Sequence, residues 1–445
     1  MSKRGIETPQ MIEATAPVES TVAIEMAEVR PSAFQALKAP NYRAFWIGSF
    51  LSNTGTWMQS VAQGWLVLQL TNSAFWLGLV GFASSLPSLI FSLMGGVLAD
   101  RFNRRKLLFV TQTIMMASAL TLGLLTASHA ILVGEILVLG FVSGLANSVN
   151  GPAYQATLPD LVGEKDLLNA IALDSAQFNL SRVIGPTLGG LTLAAFGVAA
   201  CFFLNATSFL ALIAALTLIH LPLNGSVRRN SVWRDLMEGI HYARHTPLIV
   251  VLLSIILVIS FFGMPYVTML PIFARDLLRA GASGLGYLYG AAGIGAVIGT
   301  LTLAFLGDLK HKGITILVCT SLFGLSIVLF AHSRNFRTSL VLLSLVGAMM
   351  IGALTLTKTL LQSTASVEMR GRVISMYFFC AVGFFPLGNL VAGTLASWRG
   401  APFAVELGGS VVFVFSVGML AFISKIRRWV MPSSKFEVQS SRSKV

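Results

Sequence analysis

The sequence predicts an all-α integral membrane protein: twelve transmembrane helices in two six-helix halves related by a pseudo-two-fold axis. Three observations predict it, namely scarce charge, the number and length of the apolar runs, and a repeat between the halves. Of 445 residues, 55% are hydrophobic and only 11% charged, with mean hydropathy +0.78. A soluble domain carries about 25% charged residues. A chain this poor in charge cannot cover its surface with solvated groups. Its apolar runs are long and interrupted by glycine rather than alternating, so they read as helices and not as outer-membrane strands.

Runs of about 20 apolar residues place spans near 44–70, 75–98, 107–127, 130–152, 169–196, 198–221, 248–273, 284–306, 313–332, 337–360, 371–397 and 402–424. The first half is then 41–221 and the second 248–425, joined by a polar cytoplasmic linker, 222–247. Residues 1–40 read as a disordered cytoplasmic tail: the first 30 hold five glutamates and no apolar core of a signal peptide. Residues 426–445 form a basic cytoplasmic tail. Cys201, Cys319 and Cys380 all lie inside apolar runs, which favours packing over a disulfide framework.

Orientation follows from Lys and Arg. With both termini inside, the inner segments hold 24 of the 31 basic residues and the outer loops five: Arg275, Arg279, Arg334, Arg337 and Arg399. Arg182 and Lys358 remain within spans, Lys358 near an inner end where it can snorkel to the surface. The net charge of +13 is thereby explained by cytoplasmic loops facing anionic lipid, with no need for nucleic acid.

The halves repeat. "SAFWLGLVGFA" (73–83) aligns with "GASGLGYLYGA" (281–291) at an offset of 208, which also pairs Asp100 with Asp308. "IGPTLGG" aligns with "PLGNLVAG" at an offset of 203, pairing Gly185 with Gly388 and Gly190 with Gly393. Parallel six-span repeats with a site between them at mid-membrane are a recurring transporter plan.

The second span ends in "GGVLADRFNRR" (95–105). Topology alone accounts for Arg101, Arg104 and Arg105. It does not account for Asp100, a carboxylate at a membrane boundary, or for Gly96, where a missing side chain admits another helix. A carboxylate there suits a helix N-terminus or an arginine in a contact that forms in one conformation and breaks in another. The stretch resembles the loop signature of the major facilitator superfamily, G-x-x-x-D-R-x-x-R-R, filled by Gly96, Asp100, Arg101, Arg104 and Arg105. The second half keeps Asp308 in "AFLGDLKHKG", with Ala304 in place of the glycine. With twelve spans and the repeat, the resemblance covers about residues 40 to 425. It implies that Asp100 and Arg104 stabilise the outward-open state by docking on the start of the eleventh helix, here "EMRGRV", with Gly371 and Arg372 as neighbours.

"NYRAFWIGSFLSNTGTWMQSVAQGWLVLQLTNSAFWLG" (41–78) and "FFGMPYVTMLPIFARDLL" (261–278) resemble the branch that contains the enterobactin exporter and macrolide-efflux proteins. This implies export of a small amphiphilic compound, siderophore- or drug-like, by proton antiport. It also implies a monomer in the plasma membrane, the bacterial inner membrane, with no cofactor. "SRVIGPTLGG" (181–190) resembles the antiporter motif of drug exporters at Gly185, Pro186, Gly189 and Gly190, though Ala172 and Ser181 replace its two earlier glycines. A packing kink without a role in direction is the alternative. Where many proton-coupled members carry an arginine in the fourth span, this chain has Gly140, ahead of Gly144, a close-packing G-x-x-x-G.

In the first span Ser52, Thr56, Gln59 and Gln63 share one helix face, with Asn53 and Ser60 widening the stripe and Trp57 beside it. Uncharged donors and acceptors with an aromatic suit a cavity wall, and interhelical hydrogen bonding is the plainer alternative. The fifth span holds Asp174, Gln177 and Ser181 on one face, with Arg182 about 80° away around the helix. Arg182 can bind an anionic substrate, neutralise a carboxylate in a fixed pair, or bond a neighbour's backbone. Asp174, Glu135 and Glu406 are the candidate proton carriers; Glu135 and Glu406 lie about one turn inside outer span ends, from which they can also snorkel to water.

No Walker A, H-E-x-x-H or dinucleotide-binding glycine pattern is present, and the six histidines lack ligand spacing, which disfavours an enzyme or an ATP-driven pump. An uptake symporter and a non-transporting sensor on the same scaffold remain rival readings.

Overall fold

The computed structural model describes residues 34–219, 232–307 and 309–421. Among these residues the secondary structure is helical. After a short turn, Gln35–Lys38, come α1 (Pro40–Thr71), α2 (Ala74–Arg101), α3 (Arg104–Ala127), α4 (Val133–Phe196) and α5 (Val198–Leu218). The linker supplies α6 (Val232–His245). The second half comprises α7 (Pro247–Val258), α8 (Tyr266–Ile272), α9 (Gly281–Leu306), α10 (Lys312–His332), α11 (Phe336–Thr364), α12 (Arg370–Gly383), α13 (Phe385–Arg399) and α14 (Ala401–Ala421).

Ten of the described helical stretches are long and apolar enough to cross a membrane, against twelve spans expected. Two physical reasons separate the numbers. The fourth and fifth spans fuse into the 64-residue α4, which breaks at Gly163 (φ 70°) into two arms, 133–162 and 164–196. A left-handed residue there favours glycine and reverses the chain without a loop. The other missing stretch is α1, which at 32 residues is long enough but carries the polar stripe that lowers its hydropathy.

Other spans are segmented. The seventh is one rod, Pro247–Leu277, loosened by wide turns at Ile259–Gly263 and Phe273–Leu277. The eleventh divides at Phe384, because Pro386 in the first turn of α13 has no N–H for a helix continued from α12.

The helix ends near Arg104, Arg105 and Lys106 form a basic end; Asn72, Gly197 and Arg399 lie at the far end. At the far end the halves meet backbone to backbone. α2 packs on α13 and the second arm of α4 packs on α9. A Cβ on Gly78 would lie 2.7 Å from the Gly393 Cα, and one on Gly190 would lie 2.5 Å from the Gly286 Cα. These contacts are symmetry mates: Gly78 matches Gly286 and Gly190 matches Gly393 in the repeat. Small residues allow such an approach. Arg275 adds a bridge, donating from Nη1 to the Leu68 carbonyl (3.1 Å) and from Nη2 to the Asn72 side chain, while Asp276 accepts from its Nε at 2.6 Å.

Toward the basic end the halves part. Along α9 the close glycine contacts with the first half end at Gly293, which packs on Val183; Gly295 and Gly299, farther along, pack on Ser344 and Ala348 of α11 in the same half.

Candidate functional site

The polar stripe of α1 faces an internal chamber. Ser52, Asn53, Thr56, Gln59, Ser60 and Gln63 border a cavity of about 210 Å³ within the first half. Opposite them stand Ser84, Gln112, Ser143, Asn147, Asn150 and Asn205. The helical period explains why one helix supplies so much of one wall. Many of these groups are pre-positioned. Asn205 donates to Gln59 Oε1 (2.7 Å), Gln112 donates to Asn150 Oδ1 (3.1 Å), and Ser52 donates to Gln112 Oε1 (3.3 Å). Ser84 Oγ is buried without a hydrogen-bond partner. It lies between Gly140 and Gly144: a Cβ on Gly140 would sit 2.5 Å from that oxygen, and one on Gly144 would strike the Ser84 carbonyl. The fourth-span glycines therefore seat α4 on α2.

A second cavity, about 230 Å³, spans the two halves. Trp57, Ser60, Gln63 and Ser84 border it from the first half; Thr268, Tyr289, Phe385 and Asn389 border it from the second. Ser60, Gln63 and Ser84 belong to both cavities, so the two adjoin. None of the residues lining either cavity is charged.

Asp174 is 8% exposed, the one acidic side chain in the buried class among those described. Its Oδ1 accepts from the Tyr154 hydroxyl (2.5 Å) and from Gln177 Nε2 (3.0 Å). Gln177 Oε1 in turn accepts from Asn53 Nδ2 at 3.4 Å, linking the carboxylate to the chamber wall. A buried carboxylate is tolerated when its oxygens accept such bonds. Asp174 and Arg182 do not form an ion pair. Arg182 instead lies over the Trp57 ring, 5.8 Å from its centroid.

The glycine-proline motif in the second arm of α4, Gly185 to Gly190, packs on two sides. Cβ atoms on Gly185 and Gly189 would meet Trp57 and Met58 of α1, while Gly190 meets Gly286, whose own added Cβ would lie 3.1 Å from the Pro186 carbonyl. Successive turns of one helix thus serve both the first half and the seam.

The residues of the loop signature and their expected neighbours scatter. Arg104 Nη1 donates to Asp160 Oδ2 (2.7 Å) and to the Ala156 carbonyl (2.8 Å), and Arg105 donates to the Thr217 carbonyl (2.8 Å). Both contacts lie within the first half, not on the eleventh helix. An added Cβ on Gly96 would meet nothing within 4 Å; its neighbour Gly95 makes the close contact, on the Ser148 carbonyl. Arg101 is exposed. Arg372 pairs with Glu238 of α6 at 2.6 Å. The Asp100 side chain and Asp308 lie outside the described residues. Glu135 closes the start of α4, accepting from the Leu132 N–H (2.9 Å), and Glu406 lies 3.4 Å from His332.

The sequence reading left out Tyr154, Gln112, Asn147, Asn150 and Asn205. The signal for Asn147 and Asn150 is "ANSVNG" (146–151), amides one turn apart in an apolar run. Nothing in the sequence pairs Arg275 with Asn72, which are 203 residues apart.

A family model described as "Transmembrane secretion effector" matches residues 31–442. The multidrug efflux pump Tap of Mycolicibacterium fortuitum is 28% identical over 359 residues, 78% of this chain and 87% of that protein. The enterobactin exporter EntS of Shigella boydii serotype 18 is 28% identical over 395 residues, 88% of this chain and 93% of that one. The crystal structure of the nucleoside transporter NupG superposes with a TM-score of 0.70 at 14% identity, covering 86% of this chain and 99% of that one. The likeness to NupG shows the fold alone. The chain belongs to the transmembrane secretion effector family of the major facilitator superfamily and is a multi-pass membrane transporter, not an enzyme.

Proposed function

We propose that this family member exports a small amphiphilic compound from a bacterial cytoplasm by alternating access, coupled to inward proton movement. The basic end is cytoplasmic by the positive-inside rule, and so are both termini. The observation that carries the reading is a cavity between halves joined by glycine contacts at the far end and parted at the basic end. A compound entering from the cytoplasm meets uncharged amides and hydroxyls from α1 and aromatic side chains from both halves. Such a lining suits an amphiphile. The two relatives are named as exporters or efflux pumps, which supports the direction.

Asp174 is the proton carrier this reading assigns. Unprotonated, it accepts from Tyr154 and Gln177. Once protonated it loses its charge and becomes a donor on one oxygen. Gln177 then loses a charge-assisted acceptor and is freer to change its bond to Asn53 on α1. In this way a proton at Asp174 alters the chamber wall. Glu135 and Glu406 lie at the far end, where a helix cap and a histidine occupy them. Asp100 and Arg104, docking on the start of the eleventh helix beside Arg372, act with Asp308 of the second half as the cytoplasmic gate when the halves close there. The chain functions as a monomer.

The test is an energised everted vesicle containing a pH dye and the full-length protein. Macrolides, catecholate siderophores and other amphiphiles are added in turn. A rise in internal pH on adding one compound, lost in Asp174→Asn, is expected. A fall in internal pH would establish an uptake symporter instead, and binding without flux would establish a sensor.

A further inference from the structure

Arg182 is a charged group in the membrane interior that the cycle above leaves unused. We propose that Arg182 and Trp57 form an anion-recognition site at the seam between the halves. The exported compound would then carry a carboxylate or an ionised acidic hydroxyl beside a flat apolar group. This rests on the export reading and narrows its substrate class.

Four observations converge. First, the guanidinium has no hydrogen bond or ion pair among the described residues; it lies over the Trp57 ring, 5.8 Å from its centroid. An arginine presents five donors in a planar fork that fits a carboxylate, and one left without an acceptor in a membrane interior is unusual. Second, the carboxylate on its own helix is engaged elsewhere. Asp174 lies eight residues earlier, about 12 Å along the axis, and is held by Tyr154 and Gln177.

Third, the neighbours fix the position. Ser181 is bonded to the first half through the Phe50 carbonyl (3.2 Å), and Val183 packs on Gly293 of the second half. Arg182 sits between these two attachments, at the boundary of the halves. Trp57 borders the inter-half cavity, with Phe178 edge-on at 6.2 Å, so a flat group can lie where the aromatic face and the guanidinium are both within reach. Fourth, the lining of both cavities is uncharged. An anionic group lying against Trp57 therefore meets no like charge there, and the guanidinium over that ring is the one charge beside it.

The experiment uses full-length protein in lipid nanodiscs and three matched probes: naphthalene-1-carboxylate, its neutral amide and its cationic amidine. Binding is measured by calorimetry. The carboxylate should bind at least about tenfold tighter than the amide, the order of one charge-assisted pair, and the amidine more weakly than either. In Arg182→Gln the carboxylate should fall to the level of the amide, while amide binding, unchanged, shows that the cavity is still folded. Arg182→Lys should retain part of the preference. Equal binding of the three probes, no carboxylate binding up to about 10 mM, or a preference that survives Arg182→Gln would overturn the site. The vesicle assay separates this from the export reading. Arg182-dependent binding without flux would leave the site standing and sink export, and flux without carboxylate preference would do the reverse.

Discussion

Replacing Gly190 by alanine should shift the protein away from the conformation described here. The added Cβ would lie 2.5 Å from the Gly286 Cα, 2.6 Å from its nitrogen and 2.9 Å from the Ala282 carbonyl oxygen. All three are backbone atoms of another helix, so no side chain can swing aside. Overpacking of this kind costs about 1–3 kcal/mol. The cost falls only where the far end is closed, because separating the halves removes the clash. The ratio of far-end-closed to far-end-open molecules should therefore drop by about 5- to 150-fold. Gly78→Ala acts at the symmetry mate, 2.7 Å from the Gly393 Cα, and should add to it. Spin labels at Ser128 and Arg334, exposed far-end positions on opposite halves, report the separation once the three native cysteines are replaced by alanine. Gly418→Ala, whose Cβ would meet nothing within 4 Å, is the control. A double variant with the control's distance distribution would refute the reasoning.

Other perturbations follow from the same geometry. Arg275→Ala removes the donors to Leu68 and Asn72, and should lengthen the same spin-label distance with little loss of thermal stability. Asp174→Asn should abolish the proton dependence of export while leaving compound binding in nanodiscs within about threefold; coupling that persists would remove Asp174 from the cycle. Arg104→Ala leaves the Asp160 carboxylate, 21% exposed, without its partner, and should cost about 1–3 kcal/mol, read as a lowered melting temperature in detergent, with Asp160→Asn milder. Asp100→Asn should impair transport with membrane insertion intact, as judged by flux per molecule of inserted protein.

Much of this was legible in the chain itself, for identifiable reasons. The α1 stripe declared a wall because helical spacing puts Ser52, Thr56, Gln59 and Gln63 on one face. The repeat alignment picked out Gly190 and Gly393 before their partners across the seam were visible. Other features depend on contacts that spacing cannot encode. Gly96 fills the family signature, yet Gly95 makes the packing contact, because one residue turns a helix face by about 100°. Glu135 reads as a membrane carboxylate near a span end, and the Leu132 N–H just before α4 donates to it. Asp174 and Arg182 lie within about 80° on a helical wheel but about 12 Å apart along the axis, and Asp174 bonds Tyr154 and Gln177 instead. Gly163 lies in a polar stretch that reads as a loop, and only its left-handed backbone shows two spans made as one broken helix.

The far-end seam has a mechanical consequence. Contacts made by glycine backbones carry no interlocking side chains and no charges, and in lipid no hydrophobic force presses the helices together. Surfaces of this kind behave as a bearing: they hold two bodies at fixed spacing while resisting rotation weakly. The Arg275 bridge is then the catch on that bearing. Opening that seam means releasing a few hydrogen bonds and not unpacking a core, so the binding energy of one small molecule is commensurate with moving half of the protein.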